Sequence, residues 1–270
     1  MPQFLIVVGL IVLAYACRTF ENRYIAKAGW IAMLVATYLG AFFLTGSHVA
    51  GAAALLIWFF LPWLEILGRV RKLRFPTESE IKHRFPPSRD QFPDLDELSS
   101  EAENAAFVAT DDTGWKWDET DHFMRLFYHK EQRIQAAIIL ATQEEFAISY
   151  VSLTSRRADG HIYTTSNYPF SFTMKFSPEH QVNRYVDAAS FEDLLTSHAA
   201  FMKANAVLPE TLEELDPDDL SKYVLRDMKG QIDHNVRVGV LEPAGDGLIR
   251  YSWRGCLFLW FQVVKDMIRV

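Results

Sequence analysis

The sequence predicts an α+β protein. Three N-terminal transmembrane helices precede a cytoplasmic domain with an antiparallel sheet of about five strands covered by helices. Three observations predict it. Three apolar runs crowd the first 68 residues, and charge falls in blocks along the chain. In the second half, aromatic and β-branched runs separated by polar turns give way to segments with helical apolar spacing.

The charge blocks set the domain organisation. Residues 1–68 carry only Arg18, Glu21, Arg23, Lys27 and Glu65 as formal charges. Residues 69–89 hold seven basic side chains against two acidic ones, and residues 90–270 hold 17 basic against 30 acidic. This division predicts an anchor over 1–68, a basic, proline-containing linker over 69–93, and a domain over 94–270 that ends in an amphipathic helix, 253–270. Cys17 and Cys256 are far apart and form no CxxC pair, so nothing points to a disulfide framework.

The apolar runs are 1–17, 28–46 and 49–68. A spanning helix needs about 20 mainly apolar residues, and roughly 17 is the lower end. The 18–29 loop carries Arg18, Arg23 and Lys27, and the exit from the third run carries Arg69, Arg71, Lys72 and Arg74. The turn at 46–48 has no Lys or Arg. Basic loops mark the cytoplasmic face, which predicts an inner (plasma) membrane protein with its N-terminus outside and its large domain in the cytoplasm. A cleaved signal peptide is the competing reading of the first run, but that stretch lacks a basic n-region and has Tyr15 beside the cleavage position. Small residues at Ala28, Ala32, Ala36 and Gly40 form a stripe suited either to homo-oligomerisation or to packing within the chain. Pro62 predicts a kink in the third helix, and Glu65 is placed to pair with Arg69. The basic exit residues, with Trp260 further on, are the expected contacts with the membrane surface.

The linker over 75–95 contains four prolines, with a short helix expected at 78–84. A helix is expected over 94–109, followed by a turn at "TDDTGWKW". Strands are expected at 122–129, 135–142, 146–155, 161–167 and 170–177, with Asp159-Gly160 turning between two of them. A helix over 190–205 is capped by Ser190. Another over 216–236 is capped by Asp216, with Pro217 in its first turn. The C-terminal segment places Leu257, Trp260, Phe261, Val264, Met267 and Ile268 on one side of a helix. That pattern suits a helix lying in the membrane interface, and equally one docked on the sheet or on the membrane helices.

Chemistry is sparsely marked. There is no Walker A loop, GxGxxG, HExxH, GxSxG or EF-hand spacing, and the eight histidines show no ligand spacing. No catalytic residue, metal site or cofactor is therefore assigned. Arg156, Arg157, His161 and Thr165, near the 156–161 turn, form a candidate anion-binding patch, since guanidinium groups and hydroxyls hold oxyanions. Ten carboxylates over 94–121 lack the glycine and spacing of a calcium loop. An acidic domain argues against nucleic acid. The expected function is a membrane-anchored interaction or accessory protein with a lipid and a protein partner. The alternatives are a membrane-associated enzyme or binding protein for a small anionic or lipid-derived ligand, and a transport-complex subunit.

Overall fold

The computed structural model describes residues 2–20, 22–78, 80–117, 120–143 and 146–269. The chain divides into two units, residues 1–72 with 256–270 and residues 73–255.

In the first unit the three apolar runs form α1 (Pro2–Arg18), α2 (Arg23–Thr45) and α3 (His48–Gly68). Only α2 and α3 are long and apolar enough to cross a membrane, which corrects the expected three spans. The reason is length. The 17 residues of α1 make about 26 Å of helix, short of a hydrocarbon core of about 30 Å. Within the unit, Trp58 donates to the Thr37 hydroxyl at 3.1 Å, and the Tyr38 hydroxyl lies 2.7 Å from His48 Nδ1. The small-residue face of α2 is occupied largely within the chain. A Cβ at Gly29 would lie 2.8 Å from the Ala14 carbonyl of α1, and one at Gly40 would lie 3.8 Å from Val7. Ala32 and Ala36, on that same face, are buried, whereas Ala28 is exposed. At the exit Arg69 pairs with Glu65 at 3.3 Å, and Val70–Lys72 form a 3-10 turn.

The second unit contains, in chain order, β1 (Phe75–Pro76), β2 (Lys82–His83), α4 (Leu95–Asn104), β3 (Val108–Trp117), β4 (Thr120–His129), β5 (Ile134–Gln143), β6 (Phe146–Arg156), β7 (Ile162–Ser166), β8 (His180–Arg184), α5 (Phe191–Ala204), α6 (Leu220–Arg237), β9 (Leu241–Gly245) and β10 (Leu248–Tyr251). The last helix, α7 (Trp253–Arg269), starts here and continues into the first unit from residue 256.

The main sheet has seven strands in the order β2-β3-β4-β5-β6-β7-β8, all antiparallel except the parallel β7–β8 pair. A second sheet runs β1-β10-β9. The domain is thus α+β with a mixed sheet, larger than the five antiparallel strands expected. Three local readings fail for identifiable reasons. The turn expected at "TDDTGWKW" is the body of β3. Its Asp112 sits opposite Arg125 of β4 and receives two hydrogen bonds from that guanidinium, at 2.7 and 2.8 Å. Gly114 serves close strand approach rather than a turn, since a Cβ there would lie 2.0 Å from the His122 carbonyl oxygen. The strand expected at 170–177 does not form. Pro169 and Pro178 bracket it, and Asn235 of α6 holds both the N–H and the carbonyl of Lys175, at 2.9 and 2.8 Å, where a strand partner would stand. That segment is the crossover that lets β8 run parallel to β7. The helix expected at 78–84 is replaced, where described, by β2, so part of the presumed linker belongs to the domain's sheets.

Helices cover both faces of the main sheet. On one face Phe123, Phe127, Ile138, Leu140, Val151 and Leu153 pack with Leu95 and Ala102 of α4 and with Phe191 and Leu194 of α5. On the other, Met124, Leu126, Tyr128, Ala137 and Ile139 pack with Leu215 and with Leu220 of α6. Burial on both sides explains why β5 reads as the continuous apolar run "AAIILA" rather than as an alternation. The Ser190 cap forms, its hydroxyl accepting from the Asp193 N–H at 3.2 Å, whereas Asp216 accepts from the Asp218 N–H at 3.0 Å and caps the 3-10 turn Pro217–Asp219 that precedes α6, whose own N-cap is Asp219.

Candidate functional site

Strand alternation decides the fate of the predicted anion patch. Ser155 opposes Tyr163, Leu153 opposes Thr165, and Arg156 opposes Ile162 across β6–β7. Opposed residues share a face and neighbours along a strand do not, so Thr165 and Arg156 point to opposite sides of the sheet.

On the α5 side, Thr165 is fully buried beneath His198. His198 Nδ1 lies 3.0 Å from the Thr165 hydroxyl and its Nε2 lies 3.0 Å from the Ser155 hydroxyl. Burial pushes this imidazole down to about 4, so it is neutral at pH 7. A histidine sealed from solvent with both nitrogens occupied is a structural hub and presents nothing to a substrate.

On the α6 side, Arg156 is 3 % exposed. It donates to Gln135 Oε1 at 2.8 Å, pairs with Asp227 of α6, and lies over the Tyr223 ring at 5.7 Å. Burial pushes the Asp227 carboxyl above the ordinary carboxylate range, against the pull of Arg156. Arg156 is thus committed to the core. His161 turns back on Asp159, 3.0 Å away. The His161 backbone N–H, then its ring, then Arg157 hold the Asp159 carboxyl below its usual range.

Arg157 alone of the four opens onto a cleft of about 440 Å³. The walls are the β6–β7 turn, the chain at 177–180, and one side of α6. They include Glu179, His180, Glu213, Arg226, Asp227, His234 and Arg237. Arg157 pairs with Asp159 at 2.9 Å, and its Nε is buried without a hydrogen-bond partner among the described residues. Thr164 bonds His180 Nε2 at 2.9 Å, and burial, aided by Arg156, pushes His180 down to about 4. Glu179 is held below the ordinary range by its own backbone N–H and by the Ser177 hydroxyl, with His161 and His234 adding. Three arginines therefore face three carboxylates, and the cleft is close to charge-balanced rather than cationic. It suits a polar ligand carrying both signs better than a bare anion.

The α6 contributors went unread in the sequence. They recur as Arg226/Asp227, Gly230/Gln231, His234 and Arg237, a polar stripe at helical spacing with a glycine at its centre. That stripe lies beside the apolar face that identified the helix and was the available signal.

Four carboxylates of the acidic run over 94–121 are held in separate pairs. Asp96 meets Arg89 at 2.7 Å, Asp111 meets His83 at 3.2 Å, Asp112 meets Arg125, and Asp121 meets Arg84 at 3.3 Å. Glu101 accepts from the first N–H of α5 at 2.8 Å, while Asp118 and Glu119 lie outside the described residues. No group of three or more His, Cys, Asp or Glu side chains among the described residues is arranged to hold a metal ion. Comparison with protein families, with curated proteins and with solved structures returns no significant match.

Proposed function

We propose that this protein is a membrane-anchored interaction protein. Helices α2 and α3 cross the bilayer as a hairpin, and the domain they carry binds another protein on the cytoplasmic side. The observation that carries the anchoring is the outward surface of α3, where Leu56, Ile57, Phe60, Leu61 and Leu64 stand exposed together. Soluble proteins seldom leave a contiguous apolar patch of this kind uncovered, while lipid covers it at no cost. Arg18 before the hairpin, Arg23 and Lys27 at the start of α2, and Arg69, Arg71, Lys72 and Arg74 after the hairpin support a cytoplasmic location for both hairpin ends, whether or not α1 inserts. Protein binding is supported by the sheet edge at β2–β3. There Phe85 is 87 % and Val108 67 % exposed, and β2 pairs with β3 only around Thr113 and Gly114.

Two measurements test this reading. Carbonate washing of native membranes should leave the chain in the pellet. Crosslinking followed by detergent solubilisation should recover a partner that is lost from the F85A/V108T variant. Release by carbonate, or a partner set unchanged in that variant, would count against it.

The cleft favours a second reading, a binding protein for a small polar ligand. Its volume lies within the roughly 300–1,000 Å³ range of ligand sites. Its paired charges fit a zwitterion. Calorimetry with free amino acids and with inorganic phosphate, on wild type and R226Q, separates the two: amino-acid binding lost in R226Q supports it, and phosphate-only binding opposes it.

A further inference from the structure

The C-terminal helix α7 has three distinct sides. Cys256 and Leu259 are buried, and Trp260 beside them is tied to α3: its indole N–H donates to the Phe59 carbonyl at 2.7 Å, and its ring meets Trp63 edge-on at 6.4 Å. Phe59 lies in the turn preceding Pro62, which supplies no N–H and crowds the carbonyls before it. The indole thus adds a donor to α3 one residue after Trp58, whose carbonyl Pro62 leaves without its helical N–H. A second side carries Gln262, Lys265, Asp266 and Arg269. Between the two runs a stripe at helical spacing, Leu257, Phe261, Val264 and Ile268, of which Phe261 is 58 % and Ile268 70 % exposed.

We propose that α7 is an in-plane membrane helix, with this stripe immersed at the boundary between lipid headgroups and acyl chains. The occupant follows from continuity. Phe60, Leu61 and Leu64 of α3, within a turn of the Trp260 docking point, are themselves exposed, so the stripe extends the surface already assigned to lipid. Protein on one flank, lipid on the next and water beyond the charged flank is the arrangement of an interfacial amphipathic helix, with Lys265 and Arg269 at the level of anionic headgroups. The chain that leaves the membrane unit after Lys72 returns to it at Cys256, so the domain is held by two tethers instead of one. This inference rests on the membrane-anchored reading.

The test uses the full chain in phosphatidylcholine vesicles containing phosphatidylglycerol, in a C17S/C256A background. Single variants F261C, I268C, K265C and L61C carry a nitrobenzoxadiazole label. Labels at 261 and 268 should show blue-shifted emission and lose it to doxyl-labelled lipid but not to iodide, with the label at 265 showing the reverse. If 61 is quenched by lipid while 261 and 268 respond to iodide, or to neither quencher, α7 is not in the lipid and only this inference falls. If 61 also fails to respond to lipid, the anchoring itself is wrong and both fall together.

Discussion

Acid should destabilise the domain through His198 in a way that a single substitution removes. Burial holds the folded imidazole down to about 4, against about 6.5 in an unfolded chain. Between those values the unfolded chain binds the proton and the folded chain does not. The stabilisation from a neutral His198 is therefore complete above about pH 6.5 and is lost as pH falls towards 4, with no further change below. The full difference corresponds to about 3 kcal/mol, and at pH 5 about 2 kcal/mol is already lost. H198Q keeps a donor and an acceptor for Ser155 and Thr165 but cannot take up the proton. His122 and His180, which burial also pushes down to about 4, are common to both proteins and cancel in the comparison. Urea unfolding of the full chain in mild detergent, read by hydrogen exchange in β4–β6 at pH 7.5 and at pH 5, measures the difference. Wild type should lose about 2 kcal/mol more than H198Q on acidification, even though H198Q starts out less stable. Equal losses would mean that the imidazole is solvated, and the reasoning from burial would fail.

Three further outcomes follow from the same geometry. R156A leaves the Asp227 carboxylate of α6 without its partner and should cost about 3–5 kcal/mol in urea unfolding. The R156M/D227L double variant should recover most of it, and additive losses would deny the coupling. G114A forces a Cβ against the His122 carbonyl and should lower domain stability by about 3 kcal/mol, visible as a reduced midpoint; an unchanged midpoint would show that β3 and β4 can separate freely. N235A removes both bonds that hold the Lys175 peptide, so amides over 170–177 should exchange faster while β4 and β5 keep their protection. Uniform acceleration, or none, would contradict the role given to Asn235.

The fold was legible where one local rule acts without competition. The apolar runs declared helices, Ser190 declared a cap, and the tight Asp159-Gly160 link declared an antiparallel β6–β7 pair. Misreadings fall where a local signal has two physical causes. Gly114 with two preceding aspartates reads as a turn, yet the glycine answers close strand approach and Asp112 answers Arg125 on the next strand. The aromatic alternation over 170–177 reads as a strand, yet Phe172 and Phe176 pack edge-on with 4.8 Å between their rings, and Asn235 of α6 holds the Lys175 peptide. The two-residue strands β1 and β2 carry too little pattern to be read at all. Of the anion patch, the sequence could not divide Arg156 from Thr165, nor show that Arg157 lines a cleft, because the division needs the register of β6 against β7.

By itself, the sequence determined where the apolar, basic and acidic stretches fall along this chain, and that the apolar ones form helices. These are properties of transfer between phases, and they sum residue by residue without knowledge of neighbours. Only the tertiary structure decided that α2 turns its small-residue face to α1, that Arg156 is buried against Asp227 while Arg157 opens to a cleft, and that Trp260 reaches the Phe59 carbonyl two hundred residues back. Those outcomes depend on pairings between distant segments, and pairing energies belong to no single stretch of chain.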